Sequence, residues 1–257
     1  MSVLDGLVAE AHVRANRLDL AVVRRRAGFA DPARNVMRAL SGAPGLGVIA
    51  EVKRQSPSAG VIAGDLDPVR QAIAYASGGA TAISILTEPD HFGGSLDDLR
   101  FVRTEVDLPI LRKDFIVAPE QVYEARVAGA DALLLIVAAL DQQLLKLLIK
   151  TTEQTGMTPL VEVHDTAEAQ RAMEAGARLV GVNNRNLATF EVDLTTAESV
   201  APSLAADVLT VAESGIKTGE DARRMEAAGY RAVLVGEALV RTADPAALVA
   251  ELAGVAA

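Results

Sequence analysis

Charged residues recur in this chain where short apolar runs end, and two of them stand two positions apart. Glu51 and Lys53 close the run GVIAEVK that begins at Gly47. On an extended strand residues i and i+2 share a face, so both side chains point the same way. Lys113 follows ILR, Glu162 lies in LVEV, Asn183 closes LVGVN, and Glu213 and Ser214 close LTVAES, while Thr87, Glu88 and Asp114 hold similar positions. Lysine and glutamate together can move protons, the ammonium as charged donor and the carboxylate as acceptor. Any one of these residues alone is more simply a structural ion pair. Their recurrence at run ends demands mutual pairing or function, because an unpaired charge in a buried strand costs several kcal/mol or changes its protonation.

Other chemistries lack their residues. Cysteine is absent, so no disulfide framework, thiolate metal site or thiol nucleophile is available. The three histidines, His12, His91 and His164, fall in separate segments; no metal is expected. No GxGxxG or P-loop pattern follows any run, so no nucleotide cofactor is expected either. The net charge of −9 disfavours nucleic acid and anionic membrane as partners, although a local basic pocket survives it. The N-terminal stretch interleaves charges with apolar residues, unlike a secretory signal, and no apolar run is long enough to span a bilayer. A cytoplasmic protein acting on a small molecule is expected.

The elements that position these residues follow from periodicity. Residues 1–46 read as helical, with Val3, Leu4, Leu7, Val8 and later Val36, Met37 and Leu40 at helical spacing, and form a lid or brace. From Gly47 onward, eight apolar runs beginning at Gly47, Thr81, Leu108, Ala130, Thr158, Leu179, Val208 and Ala232 alternate with amphipathic stretches. Gly79, Gly129, Gly176 and Gly229 stand just before four of the runs, as C-terminal helix caps in the left-handed conformation. Eight β/α units predict a (β/α)8 TIM barrel over 47–257 behind an N-terminal helical extension over 1–46, the whole of 1–257 forming one domain; an open doubly wound sheet is the competing arrangement. With aromatics at 3% and no tryptophan, Ala, Val, Leu and Ile must fill the core.

In such a barrel the C-terminal strand ends form the active face. The fourth run is wholly apolar, which suits a wall for a flat hydrophobic group. Gly215 and Gly236 close the last two runs, whose loops commonly hold phosphate in this fold, and Ser56 after the first run adds a hydroxyl.

EVKRQSPSAG (51–60), ISILTEPDHFGGS (83–95), ILRKDFI (110–116), LVEVH (160–164), GVNNRNL (181–187), AESGI (212–216) and VLVGEALV (233–240) resemble the indole-3-glycerol-phosphate synthase family, in the family's order and over essentially the whole barrel. The resemblance implies decarboxylating ring closure of 1-(o-carboxyphenylamino)-1-deoxyribulose 5-phosphate in tryptophan biosynthesis, with no cofactor and with other tryptophan-pathway enzymes as candidate partners. It implies that Lys113 is the general acid at the substrate carbonyl and that Glu162 serves the later dehydration. Lys53 holds the anthranilate carboxylate and is a second candidate proton donor; Glu51 and Asn183 orient these groups, and Glu213 and Ser214 line the pocket. Phe92, Phe115, Leu134 and Leu187 are the implied aromatic subsite, and Gly215, Gly236 and the backbone of Glu237, with Ser56 nearby, the implied phosphate subsite. Gln55 departs from a position that is basic in some members. Burial and a neighbouring cation, Lys53, are expected to lower the pKa of Lys113. Phosphoribosylanthranilate isomerase shares the fold but uses a cysteine base, absent here, and a non-catalytic phosphate-binding barrel need not keep both lysines and Glu162.

Overall fold

The computed structural model describes residues 3–187 and 189–254. Three helices come first, α1 (Val3–Ala15), α2 (Leu20–Ala27) and α3 (Val36–Ser41). Strand β1 (Gly47–Val52) follows, then a small hairpin of β2 (Gln55–Ser56) and β3 (Gly60–Val61). Seven more strands alternate with helices: β4 (Ala82–Leu86), β5 (Ile110–Lys113), β6 (Ala132–Ile136), β7 (Thr158–Val163), β8 (Leu179–Asn183), β9 (Leu209–Glu213) and β10 (Ala232–Val235). All eight larger strands pair in parallel, and β1 meets both β4 and β10, which closes the barrel. The expected eight runs are these strands. Closure leaves no sheet edge, so an open sheet does not describe the fold.

Strand parity decides what reaches the site. Ile49, Leu111, Leu134, Leu160, Leu179, Leu209, Val211 and Leu234 form the buried barrel interior. Two-residue steps from them arrive at Glu51 and Lys53, Lys113, Glu162, Asn183 after Gly181, Glu213 and Gly236. Residues of the opposite parity, among them Val48, Ala50, Ile83, Ile85, Val161 and Val163, join the layer between strands and helices. Thr87, Arg112 and Asp114 also have that parity. They form a buried network in which Arg112 donates to Thr87 (3.1 Å) and Asp114 (2.9 Å), and Thr87 to Asp114 (2.7 Å). For Thr87 and Asp114 the run-end pattern therefore marked structural pairing, although Asp114 also reaches the edge of the cavity described below.

The N-terminal segment acts at both ends of the barrel. Val36 and Leu40 of α3 pack into the interior cluster and close its base. Arg34 holds the chain there by donating to the carbonyls of Val106 (2.7 Å) and Leu108 (2.9 Å). Helix α2 lies along the barrel helix Pro119–Ala128. Val3, Leu4 and Leu7 of α1 line the mouth, and Arg14 ties α1 to Glu88 (3.3 Å) and Asp114 (3.1 Å). Between α2 and α3 the chain is not helical, contrary to the expectation of helix throughout 1–46, and the connection carries Arg34 and one restraining proline, Pro32. Gly79, Gly129, Gly176 and Gly229 all have positive φ, as their position after helices requires.

Candidate active site

A cavity of about 580 Å³ opens at the C-terminal strand ends. It brings together every residue that the sequence reading assigned to the site: Glu51, Lys53, Lys113, Glu162, Asn183, Glu213 and Ser214 with the proposed aromatic and phosphate groups. Glu51, Glu162 and Glu213 are buried at 4%, 2% and 1% exposure. They arrive from β1, β7 and β9, which do not neighbour one another in the barrel, and surround the ammonium of Lys113 from β5. Lys113 Nζ stands 3.5 Å from Glu213, 3.7 Å from Glu162 and 3.8 Å from Glu51, all ion-pair separations longer than a good hydrogen bond. Lys53 is held closer, 3.0 Å from Glu51 Oε1. Among the described residues, Glu51 Oε2 and both oxygens of Glu213 are buried without a hydrogen-bond partner. Such atoms on a cavity floor suit polar groups of a ligand.

The electrostatics correct one expectation. Burial alone would lower the pKa of Lys113, but Glu213, Glu51 and Glu162 outweigh it, so the pKa is raised and the lysine stays charged. Lys53 turns instead to Glu51. Burial would likewise raise Glu51 and Glu162; Lys53 and Lys113 hold Glu51 low, and Lys113, His164 and the Asn183 amide hold Glu162 low. Glu213 goes the other way. Burial raises it, Lys113 opposes, and the negative charges of Glu162 and Glu51 add to the rise, so Glu213 is the carboxyl that keeps a proton.

Loops set the remaining walls. Glu88 accepts from the backbone N–H groups of Asp90 (3.2 Å), His91 (2.7 Å) and Phe92 (3.0 Å), which folds the loop that presents Phe92. Phe115 is held by its N–H to Asp114 (2.8 Å) and by Gln121 at its carbonyl (2.9 Å). The two rings lie 6.2 Å apart at 46°, a tilted pair, with Leu134 and Leu187 on the same cavity. Arg54 forks onto Asp98 at 2.6 and 3.1 Å and fixes the start of the β2–β3 hairpin, where Ser56 accepts from the N–H of Ala59 (3.2 Å). Gln55 donates to the carbonyl of Asp90 (3.3 Å), away from the cavity lining. Ser214 and Gly215 both take positive φ, +65° and +83°, turning the chain abruptly after β9; for a serine that is a strained conformation.

Several cavity residues escaped the sequence reading. Arg185, Phe190 and Lys217 line it from loops after β8 and β9, Arg241 lines it from the end of the short helix Glu237–Arg241 after β10, and Arg185 donates to the carbonyl of Phe190 (3.1 Å). Only Arg185 had a visible signal, its place just beyond a strand end. Gly236 has a second duty: a Cβ there would lie 2.5 Å from Glu51 Oε1. Away from the cavity floor, Glu10, Glu88 and His91 bring ligand-type atoms together, a single histidine with two carboxylates. Glu88 already accepts from Arg14 and three backbone N–H groups, so this cluster serves as a tie between α1 and the Phe92 loop.

Comparison with known proteins agrees with this geometry. The barrel resembles 3-hexulose-6-phosphate synthase from Salmonella typhimurium, with a TM-score of 0.65 at 15% identity over 82% of this chain and 98% of that one, a likeness of fold alone. Indole-3-glycerol phosphate synthases from Mycolicibacterium smegmatis and Rhodococcus jostii are each 53% identical over 251 residues, covering 98% of this chain and 92% and 93% of theirs. Residues 4–252 match the family described as indole-3-glycerol phosphate synthase, and the chain belongs to that family.

Proposed function

We propose that this mouth closes the indole ring of 1-(o-carboxyphenylamino)-1-deoxyribulose 5-phosphate, releasing carbon dioxide and water and leaving indole-3-glycerol phosphate. The observation that carries the reading is the single ammonium of Lys113 inside three buried carboxylates, beside the Lys53–Glu51 pair and the two phenylalanine rings.

The aryl ring lies against Phe92, Phe115, Leu134 and Leu187, and its carboxylate meets Lys53. Gly215, Gly236 and the backbone of Glu237, with Ser56, take the phosphate. The ring carbon that bears the carboxylate then attacks the ketone carbon. Lys113 polarises the ketone by charge and gives its proton to the oxygen, whose basicity rises steeply as the bond forms, so a lysine with a raised pKa still donates. Loss of carbon dioxide returns an electron pair to the ring. Loss of the new hydroxyl as water, with a proton passing through Glu162, completes the pyrrole. Glu213 holds a proton 3.5 Å from Lys113 and can recharge it. Glu51 and Asn183 orient the lysine and glutamate, and Ser214 shapes the turn beneath the substrate.

The same reading takes 1–257 as one barrel domain working in the cytoplasm, with other tryptophan-pathway enzymes supplying its substrate and using its product. No helix among the described residues is long and apolar enough to cross a membrane. Purified protein mixed with the carboxyphenylamino substrate should yield indole fluorescence and carbon dioxide in a one-to-one ratio. Absence of the fluorescent product overturns the assignment.

A further inference from the structure

Each oxygen of Glu162 has its own cation. Lys113 approaches Oε2 at 3.7 Å, and His164 Nε2 approaches Oε1 at 3.4 Å. The second contact is a charge pairing, since Nε2 lacks an aligned hydrogen bond. The other ring nitrogen is fixed more firmly: Nδ1 lies 3.0 Å from Glu168 Oε2, and the backbone N–H of His164 donates to that same oxygen at 2.8 Å. Glu168 is placed in turn by the start of the helix Thr166–Glu174, where the N-cap Asp165 accepts its backbone N–H at 2.8 Å. The helix start thus fixes Glu168, Glu168 fixes the imidazole, and the imidazole faces Glu162.

We propose that His164 is a positioning residue for the dehydration, a cationic clamp that keeps Glu162 ionised and oriented without touching substrate. The proposal rests on the proton-transfer role of Glu162 in the reaction above. Burial would discharge the ring, but Glu162 and Glu168 outweigh it and push its pKa up to about 10. Both nitrogens therefore carry protons near neutrality, and the ring cannot itself be the base. The other groups that face Glu162 come from four strands: Lys113 on β5, Glu213 on β9, Glu51 on β1 with Lys53 attached, and the amide of Asn183 on β8. Removing His164 takes away one of the two cations beside the Glu162 carboxylate, so the proton affinity of Glu162 must rise.

The test is the pH profile of kcat/KM from pH 2 to 9 for wild type, His164→Gln and the isosteric Glu168→Gln, with a thermal midpoint for each protein. An opposite charge at this distance moves a carboxyl by about one pH unit or more. The midpoint of the acidic limb should therefore move up by about that much in His164→Gln and by less in Glu168→Gln, with activity recovering as the pH is raised. A merely structural role lowers the rate by the same factor at every pH. An unmoved limb in His164→Gln overturns the proposal; if that variant does not fold, an unmoved limb in Glu168→Gln does so. Wild type without indole product overturns the reaction itself, a separate outcome.

Discussion

Replacing Gly236 with alanine tests whether close packing at the end of β10 holds the catalytic floor. The added Cβ would stand 2.5 Å from Glu51 Oε1 and 3.2 Å from the Cβ and Cδ of Glu51. Comfortable contact needs about 3.5 Å, so the carboxylate must retreat by roughly 1 Å. Glu51 is 4% exposed and has little room. Its Oε1 holds Lys53 at 3.0 Å and its Oε2 faces Lys113 at 3.8 Å, so retreat disturbs both lysines. Overpacking of this kind costs about 1–3 kcal/mol of stability, a drop of several degrees in Tm, while a misplacement near 1 Å costs on the order of 10²-fold in turnover. Steady-state fluorescence assays at 25 °C on Gly236→Ala should show that loss in kcat, with substrate and with its dephosphorylated analogue alike, because the lesion acts through Glu51. A folded variant whose kcat stays within about twofold of wild type refutes the reasoning. So does a loss that vanishes with the dephosphorylated analogue, which would leave Gly236 with phosphate contacts alone.

Three further outcomes are expected. Glu162→Gln should stall after ring closure, so that carbon dioxide release exceeds indole formation; equal loss of both products would move Glu162 to an earlier step. Dephosphorylated substrate on wild type should show a higher KM and a lower kcat, because a remote anchor orients the flexible chain; an unchanged kcat at saturation would reduce the phosphate to uniform binding. Thermal stability should fall between about pH 7 and 10. The folded pKa of His164 is raised to about 10, so its contribution is complete below the unfolded value near 6.5 and lost as pH rises through 10. The raised Glu213 acts in the same direction from its unfolded value near 4.5 upward. A Tm flat over that window, or one that falls as steeply in His164→Gln, contradicts the assignment of the charged imidazole.

The barrel was legible because its signals are local. Alternation from Ile49 to Glu51 and Lys53, or from Leu160 to Glu162, places side chains on the inner face without any knowledge of the partner strands, and a glycine such as Gly176 marks a helix end by its own backbone need. What depends on closure was not legible. Glu51, Glu162 and Glu213 lie on strands far apart in sequence and not adjacent in the barrel, so the cage around Lys113, and with it the upward shift of its pKa, appears only in three dimensions. The same holds for the approach of Gly236 to Glu51 and for the loop residues Arg185 and Phe190. Thr87 and Asp114 show the limit of reading strand ends without parity: their side chains belong to the Arg112 network.

In the reaction proposed above, Lys113 delivers the proton that makes ring closure possible. Its ammonium is the group that all three floor carboxylates surround, and removing it leaves those carboxylates without their shared cation. The most direct measurement is kcat and KM for Lys113→Ala with the carboxyphenylamino substrate, on protein whose thermal midpoint shows it to be folded. A fall in kcat of roughly 10²-fold or more is expected, with KM changed far less, the mark of a group used in the transition state. Turnover near the wild-type value in the folded variant would contradict it.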